Sequence, residues 1–394
     1  MKVVIVSFFY DETVKSEEAL LQQHYTTTGW AEALRRKGVD VIVVSRFYKE
    51  SELVKNGVRY LFVKDKLGAS FSARQIPFHF LNKISSLHAD VIHLHHLTLS
   101  PETFLLRLLV NRETAIIIQH HGGKSPRKFK RLIHNTIHQV ADGFFFTSVE
   151  QGKEWFMGKR RYKKVYPVME GSTFFNYEDR DQTRLSDYSN RDKARENTGM
   201  KGSPVFLWVG RLDDNKDPLT VLDGFETIRH VFNEASLYMI YSDEKLLDKV
   251  KQKCDDNPNL KSRVFLLGKI AHEQIEMYYN SADYFVLGSH YEGSGYALSE
   301  ALRCGCVPIV TAIPSFHMMT DDGNLGTLWR PGDAGSFVMA AKKTLSKPLQ
   351  SEAKACIHFY NKALSFDAIA EKAISHYQYV LMKRRKLTTA LSNA

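Results

Sequence analysis

The segment Tyr291-Glu292-Gly293-Ser294-Gly295-Tyr296-Ala297-Leu298-Ser299-Glu300 sets two carboxylates eight positions apart around a glycine-bearing loop. Phe285-Val286-Leu287 before it reads as a strand end and Gly288-Ser289-His290 as a turn. Ala297 to Arg303 reads as a helix stopped at Gly305. Strand, loop and helix in that order bring backbone N–H groups and the positive end of a helix dipole to one spot, where Gly293 and Gly295 let an anion approach closely. Glu300, placed in the first helical turn, can accept hydrogen bonds from a diol, while Glu292 reaches another part of the same ligand. A phosphate, a ribose diol and sugar hydroxyls together make a sugar nucleotide. The plainer reading is a glutamate that complements a helix dipole beside an ordinary glycine turn.

A second motif supports the ligand reading. Val205-Phe206-Leu207-Trp208-Val209-Gly210 is a buried strand ending in glycine, followed by Arg211, Lys216 and Asp217-Pro218 and by an amphipathic helix through Leu222, Phe225 and Ile228. Two cations thus lie at the carboxyl end of a strand, where open α/β sheets bind ligands. Arg can hold two diphosphate oxygens and Lys acts as a point charge. The alternative is a solvated loop in which both cations pair with Asp213, Asp214 and Asp217.

On these residues the chain resembles the retaining glycosyltransferases of family 4, the group 1 glycosyl transferases. The resemblance rests on Gly210-Arg211 with Lys216, on the Glu292 and Glu300 pair, on Glu300 through Gly305 to Pro308-Ile309-Val310, and on Pro331-Gly332-Asp333. It is specific over the last half of the chain and weaker over the first. It implies a GT-B fold, with two Rossmann-like doubly wound domains facing a central cleft and a C-terminal helix crossing back to the first domain. The expected boundaries are 1–168 for the acceptor-side domain, 169–365 for the donor domain and 366–394 for the returning helix. The resemblance assigns Arg211 and Lys216 to the donor diphosphate, Glu292 to the donor sugar and Glu300 to the ribose. Gly210, Gly293, Ser294, Gly295, Tyr296 and Ala297 complete the donor contacts, and Gly268 meets the base through main chain. It further implies transfer with retention, no required metal or cofactor, a UDP or GDP sugar as donor, and a glycan or lipid-linked acceptor of surface polysaccharide synthesis.

Histidines gather at two strand ends of the first half, His93-Leu94-His95-His96 and His120-His121-Gly122-Gly123. The resemblance favours His121 for donor-sugar contact and acceptor positioning, with His120 as the alternative register; His95, His120 and Gly122 are acceptor-side candidates. A metal site is the rival reading, but the pairs lack the i, i+4 helical spacing of a zinc protease and no carboxylate motif completes a ligand set. The chain also departs from the family pattern. No glycine pair follows the first strand, where a polar loop from Asp11 to Thr28 is expected. Ser294 stands where an aromatic residue is frequent, and no Gly-x-Gly follows Tyr238 to Ser242.

These motifs need sheets to hold them. Strands are expected at Lys2 to Ser7, Val39 to Val44, Val58 to Phe62, Val91 to His95, Ala115 to Gln119 and Gly143 to Thr147, with helices at His24 to Lys37 and Pro101 to Val110. Tyr166 to Ser172 resembles the family's interdomain hinge, while Asn176 to Ser203 reads as a polar connection and Phe366 to Lys386 as an amphipathic helix. A chain of 394 residues exceeds a single core. It has no stretch of about 20 apolar residues and no signal peptide, so a cytoplasmic location is expected. Its four cysteines read as reduced packing residues.

Residues 1–165 hold 26 Lys and Arg against 15 Asp and Glu, whereas the remainder holds 28 against 29. The basic runs Lys124 to Ile133, Lys159 to Lys164 and Lys383 to Lys386 suit an anionic membrane face, an anionic acceptor or plain solvation, and no nucleic-acid module accompanies them. Two other classes fit parts of the pattern. A sugar-nucleotide epimerase shares the architecture, and a noncatalytic basic scaffold at a membrane explains the charge but not the joint presence of Arg211, Lys216, Glu292 and Glu300.

Overall fold

The computed structural model describes residues 1–65, 67, 75–95, 97, 100–123, 125, 138–156, 163–171 and 188–392. The chain forms two compact units, Met1–Gly171 with Phe366–Ala394, and Ser172–Ser365.

The first unit is built on eight strands: β1 (Lys2–Ser7), β2 (Asp40–Arg46), β3 (Ser51–Lys55), β4 (Val58–Val63), β5 (Val91–His95), β6 (Ala115–Gln119), β7 (Gly143–Phe146) and β8 (Val165–Pro167). Their order is β3-β4-β2-β1-β5-β6-β7-β8, parallel except for the β3–β4 hairpin. Helices cover both faces, so the central strands read as unbroken apolar runs such as Val3-Val4-Ile5-Val6 and Ala115-Ile116-Ile117-Ile118, all fully buried. The chain moves outward from β1 to β2 on one side and to β5 on the other. This makes β1/β5 the switch point of the sheet.

The second unit repeats the plan with β9 (Val205–Gly210), β10 (Ser236–Tyr241), β11 (Val264–Gly268), β12 (Tyr284–Leu287), β13 (Val307–Thr311) and β14 (Thr327–Trp329). The order β11-β10-β9-β12-β13-β14 is wholly parallel and switches direction between β9 and β12.

The helix Phe366–Ser392 packs on β6 and on the helix Tyr25–Arg36 of the first unit. Arg36 Nη2 lies 2.8 Å from Asp367 Oδ1, and Lys37 pairs with Glu371. Tyr377 Oη is 2.8 Å from His93 Nδ1 inside the core. In the basic run at the end of this helix, Arg384 donates to the Arg112 carbonyl at 2.6 Å and Arg385 to Asp90 at 2.8 Å. Those two cations therefore hold the helix down.

Several expectations need correction. The polar stretch after β1 is a loop only as far as Ser16; a short helix Glu17–Gln23 follows, capped by the Ser16 side chain, and Tyr25 opens the next helix. Part of the expected connection from Asn176 is a helix, Tyr188–Thr198, that lacks apolar patterning because arginines anchor it. Arg191 and Arg195 both bind Asp283, at 3.0 and 2.8 Å, and Asp283 also accepts from Val205 N–H at 2.8 Å. Strand β3 and the helix Phe78–Ser85 were not anticipated. Most of the runs Lys124 to Ile133 and Lys159 to Lys164, and residues 176–187 of the connection, lie outside the described residues.

Phe366 enters the first unit through a slot between two glycines. A Cβ on Gly29 would lie 2.5 Å from its ring and one on Gly171 2.2 Å. Replacing Gly171 by Ala is expected to lower stability by about 1–3 kcal/mol through overpacking; urea denaturation of the variant checks this, and an unchanged midpoint would contradict it.

Candidate active site

In the second unit the loops after β9 and β12 leave the sheet side by side at the switch point. His290 N–H donates to the Asn215 carbonyl at 2.8 Å, and Asn215 Nδ2 donates to the Tyr291 carbonyl at 2.9 Å. A Cβ on Gly288 would stand 2.9 Å from the Asp217 carbonyl oxygen, so the two backbones touch. The first loop is braced from within. Lys216 N–H donates to Asp213 Oδ1 at 3.0 Å, and Asp217, in the left-handed region at φ 45°, caps the helix Pro218–Arg229 by accepting from Thr220 N–H at 3.3 Å.

Across this lacing Lys216 Nζ pairs with Glu292 Oε1, and the same oxygen accepts from Ser289 Oγ at 2.6 Å. The Lys216 and Glu292 side chains are only 14% and 11% exposed. A charge that buried is tolerable only beside an opposite one. Arg211 differs: it is 57% exposed and lies 3.1 Å from Asp213. The expectation of two cations projecting alike from one loop is thus corrected. Arg211 reaches toward solvent, whereas Lys216 is folded onto a carboxylate of the other loop. Asp214 pairs with Lys245 and Asp217 with His290, so neither takes Lys216.

Gly295 begins the helix Tyr296–Arg303 in the left-handed region at φ 59°, and a Cβ there would meet the Phe316 ring at 2.8 Å. Only glycine satisfies both demands. Glu300 lies in the second turn of this helix, not the first, because Tyr296 already occupies the first helical position. Being past the dipole end, it is held by side chains: His272 Nε2 lies 3.2 Å from its Oε1, and Tyr279 Oη donates to its Oε2 at 3.1 Å. Burial pushes the Glu300 carboxyl above the usual range, against the pull of His272 and Tyr279. Hydrogen bonding to Glu300 in turn raises His272. Ser294 is buried, whereas Gly293, Tyr296 and Ala297 are half-buried along the same loop and Gly210 is half-buried at the end of β9. Gly268 ends β11 with φ 72° and open space where a Cβ would lie.

In the first unit, alternation carried past the end of β6 sends the two neighbouring histidines to different surroundings. His120 stacks on Phe146 at 4.7 Å and meets Trp155 edge-on at 5.0 Å, and burial lowers its pKa to about 4. His121 turns instead toward His95, 4.8 Å between rings, and its Nδ1 lies 3.1 Å from Glu170 Oε2. Gly122 N–H donates to His120 Nδ1 at 3.4 Å. Of the two registers, His121 is the one paired with a carboxylate, and His93 joins the same cluster through His95, 4.7 Å away. Among the described residues no group of His, Cys, Asp or Glu is arranged to hold a metal ion.

Sequence reasoning missed Ser289, Asn215, His272, Tyr279 and Glu170. Glu170 left a signal, a lone acid closing the apolar run Tyr166-Pro167-Val168-Met169, since a buried carboxylate needs a partner. The others are ordinary polar residues until the fold brings them together.

Two outcomes follow from these pairings. Lys216→Met should lower stability by about 3 kcal/mol by stranding the Glu292 charge, and Lys216→Met with Glu292→Gln should recover part of that loss in denaturant titrations. The His272 pKa is raised in the folded chain, so its stabilisation is present below about pH 6.5 and fades as pH rises through the folded value. The difference in Tm between wild type and His272→Gln should therefore be larger at pH 6 than at pH 8.5; a constant difference would contradict the pairing.

The family described as glycosyl transferases group 1 matches residues 190–362. Mannosylfructose-phosphate synthase of Agrobacterium fabrum is 31% identical over 142 residues, covering 34% of this chain and 31% of that protein. An Escherichia coli UDP-Gal:alpha-D-GlcNAc-diphosphoundecaprenol alpha-1,3-galactosyltransferase is 32% identical over 161 residues, 40% of this chain and 41% of that protein. The chain thus spans less than half the length of these relatives. Among solved structures, sucrose-phosphate synthase from Thermosynechococcus elongatus has a TM-score of 0.66 at 19% identity, covering 97% of this chain and 99% of that one. Anabaena HepE in complex with UDP and glucose has 0.69 at 13% identity, covering 96% and 100%. With both switch-point loops inside the matched segment, residues 190–362 belong to the glycosyl transferases group 1, and the fold of the chain is GT-B.

Proposed function

We propose that this chain is a retaining, metal-independent glycosyltransferase of family 4 that moves a sugar from a nucleoside diphosphate to a hydroxyl of a glycan or lipid-linked acceptor. The observation that carries this reading is the Lys216–Glu292 pair, fixed by Ser289 where the loops after β9 and β12 meet. An ammonium has three donors, so Lys216 can keep Glu292 and still meet a diphosphate oxygen. Arg211, exposed beside it, supplies a two-pronged second contact. Glu292 faces the donor sugar, Glu300 accepts from the ribose diol, and main chain at Gly268 meets a uracil or guanine base. The second unit is the donor side. His121, with His95, His120 and Gly122 around it, belongs to the acceptor side.

In the reaction the bond from the anomeric carbon to the diphosphate oxygen breaks. The acceptor oxygen bonds to that carbon on the same face, and the acceptor proton passes to the departing phosphate oxygen. Negative charge grows on the diphosphate as the bond lengthens, and Lys216 and Arg211 stabilise it in place, the kind of preorganised electrostatics that often dominates catalysis. Those fixed cations do the work a divalent metal does elsewhere. The solved HepE complexes with UDP and the relative named for UDP-Gal support a UDP sugar over a GDP sugar as donor, and the same relative's GlcNAc-diphosphoundecaprenol supports a sugar-bearing acceptor. The relative named for a diphosphoundecaprenol-linked sugar supports a lipid-linked acceptor, and with such an acceptor the chain would serve surface polysaccharide synthesis at the cytoplasmic face of a membrane. The positive excess of residues 1–165 would be attracted to an anionic membrane face. No described helix is long and apolar enough to cross a membrane.

A thermal-shift series with UDP-, GDP-, ADP- and TDP-sugars tests the reading, because a ligand that binds the folded state raises its stability. One base should raise Tm in wild type and not in Glu300→Ala; no rise with any of the four would contradict a donor site. With the sugar so identified, Lys216→Ala or Arg211→Ala should lower turnover by about 10²-fold or more, and chelation with EDTA should leave wild-type turnover unchanged.

A further inference from the structure

The ion pair between His121 and Glu170 carries an inference beyond the donor site. It rests on the reading of His121 as the acceptor-side histidine. Glu170 follows β8 and is 6% exposed, with Oε2 3.1 Å from His121 Nδ1. His121 is three-quarters buried. The groups around this ring come from three elements: His93 and His95 from β5, His120 beside it after β6, and Glu170 after β8. Tyr377 of the terminal helix reaches the cluster through His93. Among these groups Glu170 is the one that carries negative charge. Burial holds His93 low, at about 3, and His120 at about 4, so both stay neutral. Burial also works against charge on His121, but attraction and hydrogen bonding to Glu170 outweigh it and leave His121 raised above the ordinary histidine value.

We propose that Glu170 is a positioning residue for His121: its carboxylate accepts the Nδ1–H, fixes the rotation of the ring and keeps the imidazole proton-bearing, so that His121 meets a substrate oxygen as a hydrogen-bond donor and not as a base. This fits the transfer step above, in which the departing phosphate oxygen takes the acceptor proton and no histidine base is required. It also separates the two neighbouring histidines by chemistry. His120 is a neutral packing ring, and His121 is the one paired with a carboxylate.

The test is the titration of His121 in the full chain labelled with 15N-histidine, its signal assigned by its loss in His121→Asn. Glu170→Gln keeps the shape and removes the charge, and should lower the His121 pKa by about 1–3 units. Glu170→Asp, which keeps the charge at longer reach, should give a smaller drop and serves if the Gln variant does not fold. With the nucleotide sugar that stabilises the chain, Glu170→Gln should lower kcat about tenfold or more, on the scale of a lost general acid or donor, and leave the donor KM unchanged. An unchanged His121 titration in both variants overturns the coupling. A shifted titration with unchanged kcat overturns its role in the reaction. The titration needs no substrate, so it stands or falls apart from the glycosyltransferase reading, which fails instead if no nucleotide sugar binds.

Discussion

A largely shielded ammonium and carboxylate, Lys216 and Glu292, set the terms for the second unit. Either alone would be costly to bury, and together they need a geometry that neither loop supplies by itself. The loop after β9 must be drawn against the loop after β12, which requires Gly288 where a side chain would strike the Asp217 carbonyl, and Asn215 to bridge to Tyr291. Ser289 then takes up a further acceptor site on Glu292. These features serve one arrangement of charge at the switch point of a parallel sheet, where the outward turn of the strands leaves space for a ligand. Glu300 extends the same site one helical turn further, and its partners His272 and Tyr279 come from the preceding helix of the sheet layer.

The first unit solves a related problem with histidines. Its central strands are largely apolar, and ionisable side chains collect toward the carboxyl ends of β5, β6 and β8. Burial lowers the pKa of His93 and His120, while the Glu170 carboxylate raises that of His121 against its own burial. The terminal helix is part of this arrangement, because Tyr377 contacts His93 and Phe366 locks into the slot beside Gly171, one residue after Glu170. A helix from the far end of the sequence thus helps shape the layer beneath the histidines.

Much of this was legible from residue order. Strand, loop and helix around Glu292 could be read because apolar runs, glycines and a helix stop are local signals. The same holds for the ends of β1, β5 and β6. The helix Tyr188–Thr198 was not legible, since its anchor is two arginines on Asp283, about ninety residues away in sequence, and not an apolar face. The partner of Lys216 was hidden for the same reason. Three aspartates stood nearer in sequence, and only the fold puts Glu292 closer. The placement of Glu300 depended on a single residue, because the helix opens at Tyr296 and not at Ala297. Strand alternation after β6 could not choose between His120 and His121 without knowing which side of the sheet holds Phe146 and Trp155 and which holds His95.

Hydrogen exchange of the intact chain, with and without saturating UDP or GDP, tests the central claim most directly, that the loops joined by Lys216 and Glu292 hold a nucleoside diphosphate. The account predicts slowed exchange concentrated in residues 210–217 and 288–300 with one of the two nucleotides. Binding that protects other segments while leaving both loops unchanged would contradict it.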